Sequence, residues 1–215
     1  MMKLKPFVLK AIFTIAVILG IHQASPLLLT QFDTAHFSPV TVAQSPNHQV
    51  SAQTVYYSVT GSTVNEIRNQ LNQRGVLHSN GKRYDGYTNW YVNWNYRYQT
   101  QGNRCRMESA NVRTDVQITL PRWNNSSPVS LALRNKWNRY IQALELHENG
   151  HKQNGIDAGE EVLKTLLSMS AYPSCQKLGV AANAAAHSVI NKYNQRDIEY
   201  DRATQYGVTQ GAIFP

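Results

Sequence analysis

The chain has 215 residues and a formal net charge of +8. That length accommodates one domain of about 150–165 residues and an N-terminal extension. Without Lys3, Lys5 and Lys10 the charge is +5, and it is scattered along the sequence, which argues against a nucleic-acid partner and suits only loose attraction to an anionic envelope surface.

Met1-Met2-Lys3-Leu4-Lys5 opens the chain, Lys10 follows, and Ala11–Ile21 is apolar or nearly so. A basic start before a short apolar run predicts an export signal over residues 1–25, placing the protein in the periplasm or outside the cell. The run is shorter than the about 20 residues that a spanning helix needs. Ala24 offers a cleavage point with a poor residue, His22, at −3; Thr41-Val42-Ala43 fits better but lies far downstream. The alternative is an uncleaved segment that attaches the protein to a membrane. Residues 26–52 are polar, contain Pro26, Pro39 and Pro46, and lack periodicity, so they read as a linker. The folded domain is expected over 53–215.

Thr54–Val59 reads as a strand that stops at Gly61. Thr63 and Glu66 have the spacing of a capping box, followed by a helix through Ile67 and Leu71 to Gly75. Trp90, Val92, Trp94, Tyr96 and Tyr98 alternate with polar residues on a longer strand, and Thr100–Asn103 turns the chain. The returning strand alternates on Cys105 and Met107, then on Ala110 through Leu120. Its phase slips near Glu108-Ser109, as a β-bulge would require, and Pro121 is expected to end it. The aromatic face of this hairpin reads as core, with a cell-wall or glycan-binding surface as the alternative.

The second half is helical. One helix is expected from about Ser127 to Ser168, weakened by Gly150, Gly155 and Gly159 at up to about 1 kcal/mol each. These glycines either permit close backbone approach or break the helix at Asn154-Gly155. Pro173 and Cys175 mark a turn, a second helix runs from about Gln176 to Asp201, and 202–215 reads as loop. The fold class is α+β. A small antiparallel sheet with one short helix packs on the long helix and on a second, antiparallel C-terminal helix. Cys105 and Cys175 lie in the domain expected to be exported, where a disulfide is the default and two separate buried thiols the alternative. Closing about 70 residues would stabilise the domain by roughly 4 kcal/mol.

His147-Glu148-Asn149-Gly150-His151 carries the chemistry. With seven His and seven Glu in the chain, a chance H-E-x-x-H has a probability of roughly 0.01. On a helix, residues i and i+4 share a face, so both imidazoles can grip one ion while Glu148 works on its open position. Leu133, Trp137, Tyr140, Leu144, His147 and His151 recur at steps of three and four, so the two His continue an apolar stripe instead of facing water. Zn²⁺ is the expected cofactor, Glu148 the catalytic base, and a peptide or protein the substrate.

A catalytic zinc usually takes three protein ligands. Glu160 and Glu161 lie about 14 Å beyond His151 on a continuous helix, too far to join. Asp157 would serve only if the helix broke. Folding the two helices into an antiparallel hairpin about residue 172 sets position 151 opposite 194 and 147 opposite 198. His187 then falls about 10 Å along the bundle and reads as a packed or surface residue. The search narrows to Glu199, Asp201 and Tyr206 as third ligand or support.

Several segments taken together resemble the bacterial domain of unknown function 922 family, described as predicted secreted zinc-dependent proteases. They are Tyr56-Tyr57-Ser58-Val59-Thr60-Gly61, Arg83-Tyr84-Asp85-Gly86-Tyr87-Thr88, Leu120-Pro121-Arg122-Trp123, the His147–His151 motif, Tyr200-Asp201-Arg202-Ala203-Thr204 and the ending Thr209–Pro215. Cys105 and Cys175 match the cysteine pair of that family. The resemblance spans about Thr54–Pro215 and implies a protease. One departure stands out: members often carry His-Gly where this chain has Tyr206-Gly207. A His there would be the obvious ligand; Tyr206 either coordinates through its phenolate or leaves Asp201 or water to complete the shell, or else marks reduced activity. The reading is therefore an exported zinc-dependent peptidase, with a non-catalytic envelope protein holding a structural or vestigial metal site as the alternative.

Overall fold

A computed structural model describes residues 47–79, 81–125 and 128–215. The export signal or anchor and most of the expected linker lie outside the described residues. The first strand, β1, spans His48–Val59, so it takes in the last part of the stretch expected as linker. No alternation marks its start because both faces are exposed over Ser51–Thr54, while His48 is buried and bonds Thr114 at 2.8 Å.

Helix α1 follows, Val64–Arg74, with the capping box in place: the Glu66 amide donates to Thr63 Oγ1 at 3.2 Å, and the Thr63 amide to Glu66 Oε2 at 3.3 Å. Ile67 and Leu71 are its buried face. A two-residue ladder, β2 (Val76–Leu77) with β3 (Arg83–Tyr84), was not expected. The long hairpin is β4 (Tyr87–Gln101) and β5 (Arg104–Trp123). Arg97 pairs with Ser109 and Tyr98 with Met107, which leaves Glu108 as the extra residue of the bulge. The strand does not stop at Pro121. β4 pairing begins at Tyr87↔Thr119, so beyond it β5 has one neighbour only, and a missing amide hydrogen is tolerated there.

The sheet order is β1-β5-β4, and β1 runs parallel to β5 from His48↔Val112 to Val59↔Trp123, so the sheet is mixed. Two long helices cover it, α2 (Leu131–Leu167) and α3 (Cys175–Thr204), capped by Ser130 and Ser174. Trp90, Val92, Trp94 and Tyr96 pack with Ala158, Val162 and Ala186 of these helices; the aromatic face of the hairpin is core. Cys105 and Cys175 form a disulfide, and Cys105 also exchanges backbone hydrogen bonds with Tyr172, tying β5 to the α2–α3 connection. The tail is not loose: Val208–Gln210 makes a 3₁₀ turn and Phe214 packs on Trp137 and Tyr140. Among the described residues, no helix is long and apolar enough to cross a membrane.

α2 is unbroken over 37 residues despite its glycines. A Cβ at Gly155 would lie 2.5 Å from Trp90 Cγ and 2.6 Å from Trp90 Cβ. Those atoms are fixed to β4 and cannot swing aside. Gly155→Ala should therefore lower stability by about 2 kcal/mol or more, opposite in sign to the about 1 kcal/mol that Ala gains over Gly in an open helix. Thermal and denaturant unfolding measure this; a stabilised variant would mean that α2 does not approach β4 so closely.

Buried His48 gives a second expectation. Burial pushes its pKa below the ordinary 6.5, partly opposed by Glu160. The unfolded chain then takes up this proton first as pH falls, so the stability present above pH 6.5 is lost on acidification through that lowered value. The stability difference between wild type and His48→Gln should be constant above neutral pH and shrink below it. A flat difference curve between about pH 7.5 and 5 would remove His48 as the cause.

Candidate metal centre

His147, Glu148 and His151 lie at mid-length of α2. His147 and Glu148 are 4% and 3% exposed, so both are polar groups that need partners inside the protein. α3 supplies them. Asp197 and Asp201 are themselves four residues apart, so one helical pair faces another across the hairpin.

Asp201 Oδ1 lies 3.3 Å from His147 Nε2 and 3.0 Å from His151 Nε2. His147, His151 and Asp201 each offer one ligand atom, all within 4.8 Å of one another, and this group can hold a metal ion. The other ring nitrogens are engaged on the far side. His151 Nδ1 is 2.9 Å from Asp197 Oδ1; a carboxylate only accepts, so Nδ1 carries the hydrogen and Nε2 is the nitrogen available to an ion. His147 Nδ1 is 3.0 Å from Gln210 Oε1. The amide nitrogen of Gln210 donates to the Tyr200 hydroxyl at 3.0 Å, and that hydroxyl donates to the His147 carbonyl at 3.2 Å. This chain of donors orients Gln210 and, through it, His147. Tyr200 also stacks on His147, with ring centres 5.1 Å apart and planes 12° apart. Gly150 makes room: a Cβ there would be 2.3 Å from Tyr200 Cζ.

Asp197 is held firmly as well, accepting from Trp90 Nε1 and Asn154 Nδ2, both at 2.7 Å. Such outer partners fix ring orientation and tautomer at metal sites. Burial opposes a charge on His151, but hydrogen bonds and charge from Asp197 and Asp201 outweigh it and hold the imidazole at about 10. Burial likewise opposes the Asp201 carboxylate, yet the two His bring it down to about 2.

Glu148 accepts from Thr88 Oγ1 at 2.7 Å. Burial raises its pKa, with Thr88 and the two imidazoles pulling the other way. Thr88 is placed by the Asp85-Gly86 segment before it. Arg68 donates to both oxygens of Asp85, at 2.8 and 2.5 Å; the Tyr140 hydroxyl donates to Oδ2 and the Tyr57 hydroxyl to its carbonyl, each at 2.8 Å. Burial, reinforced by Asp85, raises both phenols and keeps them protonated. One cleft of about 660 Å³ is lined by His147, Glu148, His151 and Asp201, with Asp85, Thr88 and Asp197 beside them and Tyr84, Tyr87 and Tyr206 further out.

Of the three residues singled out to complete the site, Asp201 joins the His pair. Glu199 does not: it is exposed and accepts from Gln195. Tyr206 lines the cleft, 59% exposed, with its ring beside that of Tyr84. Asp157 accepts from Gln153, because the helix continues. Glu161 pairs with Lys192, and His187 meets Trp94 edge-on. The hairpin register differs from expectation by about a turn, since the connection carries Tyr172 across to β5 before α3 starts. Asp197, Thr88, Asp85 and Gln210 were missed. Asp197 left its four-residue spacing from Asp201 as a signal, and Asp85, Thr88 and Gln210 lie in segments that carry the family resemblance, which marks them without giving them a role.

Fold and site together define an α+β protein with a partly buried two-His, one-Asp group beside a buried glutamate. The chain belongs to the family described as bacterial protein of unknown function (DUF922), whose model matches residues 54–207. No curated protein and no solved structure matches it.

At neutral pH His151 is protonated in the metal-free protein, and a ligating imidazole must be neutral. Metal loading should therefore release at least one proton near pH 7, and affinity should rise with pH towards about 10. Calorimetry in buffers of different ionisation enthalpy reads the proton count; no release would show that His151 is neutral beforehand. The same charge pairing stabilises the metal-free fold below pH 6.5 and is lost as pH rises through about 10. Asp201→Asn should weaken metal binding by more than Asp197→Asn, for which a 10- to 100-fold loss is expected. Equal, unchanged affinity in both would remove α3 from the site.

Proposed function

We propose that this protein is an exported zinc-dependent peptidase. The observation that carries the reading is the convergence of both Nε2 atoms on Asp201 Oδ1 in the cleft that Glu148 also borders. Two imidazoles and one carboxylate with an open side form a donor set suited to catalytic zinc. When bound, zinc supplies Lewis acidity, which polarises a carbonyl and makes a water easier to deprotonate.

The residues of the chain divide the remaining work. His147, His151 and Asp201 bind; Gln210 and Asp197 keep the imidazoles aimed. Glu148 accepts the proton of the attacking water and returns it to the leaving amine. Its burial favours that role, because a carboxylate whose pKa is raised by burial is a stronger base for the proton it takes. Thr88 holds one carboxylate oxygen and so limits the directions in which Glu148 can point. Export is supported by the Cys105–Cys175 disulfide, which fits an oxidising compartment.

Glu148→Gln should retain zinc, measured by metal analysis, and lose peptide hydrolysis by about 10²-fold or more. Chelation should abolish wild-type hydrolysis and zinc restore it. Zinc bound at one equivalent without hydrolysis of a broad peptide mixture would favour a non-catalytic metal site; full activity in the Glu148→Gln variant would overturn the mechanism.

A further inference from the structure

We infer that His78, Tyr84, Tyr87 and Tyr206 form a side-chain subsite, and that the substrate is a peptide with an aromatic or large aliphatic residue beside the bond to be cleaved. This rests on the peptidase reading and adds the substrate class to it. The four rings come from separate segments: the loop after β2, strand β3, the first residue of β4 and the turn after α3. They form a connected series, with ring centres 5.9 Å apart for His78 and Tyr84, 5.3 Å for His78 and Tyr87, and 6.0 Å for Tyr84 and Tyr206. All four line the cleft that contains Glu148 and the His pair.

The backbone at Tyr206 is the second observation. Gln205 has φ 51° and Tyr206 φ 56°, and Gly207 follows at 83°. One left-handed residue ends a helix ordinarily. A second, bulky one in succession is disfavoured, and strain of this kind collects at functional positions. Tyr206 does not recover the cost by burial, since it is 59% exposed. What the conformation achieves is to bring its ring over Tyr84 at the cleft mouth. The Tyr206 amide donates to the Asp201 carbonyl at 2.8 Å, so the ring is hung directly from a residue of the ligand group.

The chemistry of the corner indicates the occupant. The acidic groups nearby are already engaged, Asp85 by Arg68 and Asp197 and Asp201 by the imidazoles. Ring faces are what this wall offers, and they favour flat or bulky apolar groups by dispersion and aromatic contact. A small side chain would leave the rings wet.

The test is binding, so that it does not depend on turnover. The full disulfide-bonded Glu148→Gln chain is loaded with zinc and titrated with blocked Ala-Ala-Phe-Ala-Ala and with blocked pentaalanine. The Phe peptide is expected to bind about 10-fold more tightly. Tyr206→Ala and Tyr84→Ala, added singly to that background, should reduce the preference below about 3-fold, and Tyr206→Phe should retain it, because the ring and not the hydroxyl is used. Unchanged melting temperature and zinc content verify that the variants are folded. Equal affinity for the two peptides, absence of binding to either, or a preference that survives both alanine substitutions overturns the subsite. Preference without hydrolysis of the Phe peptide by the wild-type chain leaves the subsite standing and overturns the peptidase reading. Hydrolysis without preference does the reverse.

Discussion

Helix α2 has to lie against β4 and α3 at once, and the rest of the site follows from that close approach. Gly155 admits Trp90, and Gly150 admits Tyr200. Each glycine costs the helix about 1 kcal/mol relative to alanine, a cost offset by what the contact allows. With Trp90 pressed on α2, its indole N–H reaches Asp197; Asp197 then holds His151. With Tyr200 pressed on α2, its ring stacks on His147 and its hydroxyl engages Gln210, which holds the other imidazole. A bulkier residue at Gly150 would push α2 away from α3, and one at Gly155 would push it away from β4. Gly150 therefore bears on the distance between the His pair and Asp201, and Gly155 on the reach of Trp90 to Asp197.

Two further anchors keep the cleft from spreading. Asp85 collects Arg68 from α1, Tyr140 from α2 and Tyr57 from β1, and so fixes the segment that delivers Thr88 to Glu148. A half-buried ion pair of this kind gains little net stability over apolar packing, but losing one partner is expensive. Its value here is positional. The C-terminal tail is the other anchor: Phe214 seals the core against Trp137 and Tyr140, which brings Gln210 to His147. Residues far apart in the chain thus support the two imidazoles and the glutamate from three sides.

The centre is a place where local stability is given up. Glu148 is buried with its pKa raised, and the proton on His151 is kept only by two carboxylates. An apolar cluster at the same place would fold more readily. His147, His151 and Asp201 form a group that can hold a metal ion, whereas the core of Val162, Leu166, Ile67 and Leu71 is conventionally apolar. Tyr206 has the same character in the backbone: it is a strained, exposed residue at the mouth of the cleft.

Local patterns were legible in the sequence. Steps of three and four put His147 on the buried stripe of α2 and His151 at its half-buried margin; Thr63 and Glu66 marked the start of α1; the slipped alternation at Glu108 marked the bulge. The cysteine pair and the α+β class were also readable there. These signals depend on neighbours within about one or two turns of chain, where covalent geometry dictates who faces whom. Tertiary structure alone decided what joins across distance. β1 pairs in parallel with β5 over polar residues; Asp201, and neither Glu199 nor Asp157, meets the His pair; Asp197, Gln210 and Asp85 become the supports. A shift of one turn between α2 and α3 changes every such partnership without altering the periodicity of either helix. The Tyr172 bridge and the packing of Tyr200 at Gly150 bear on that register, and such contacts exist only once the chain has folded.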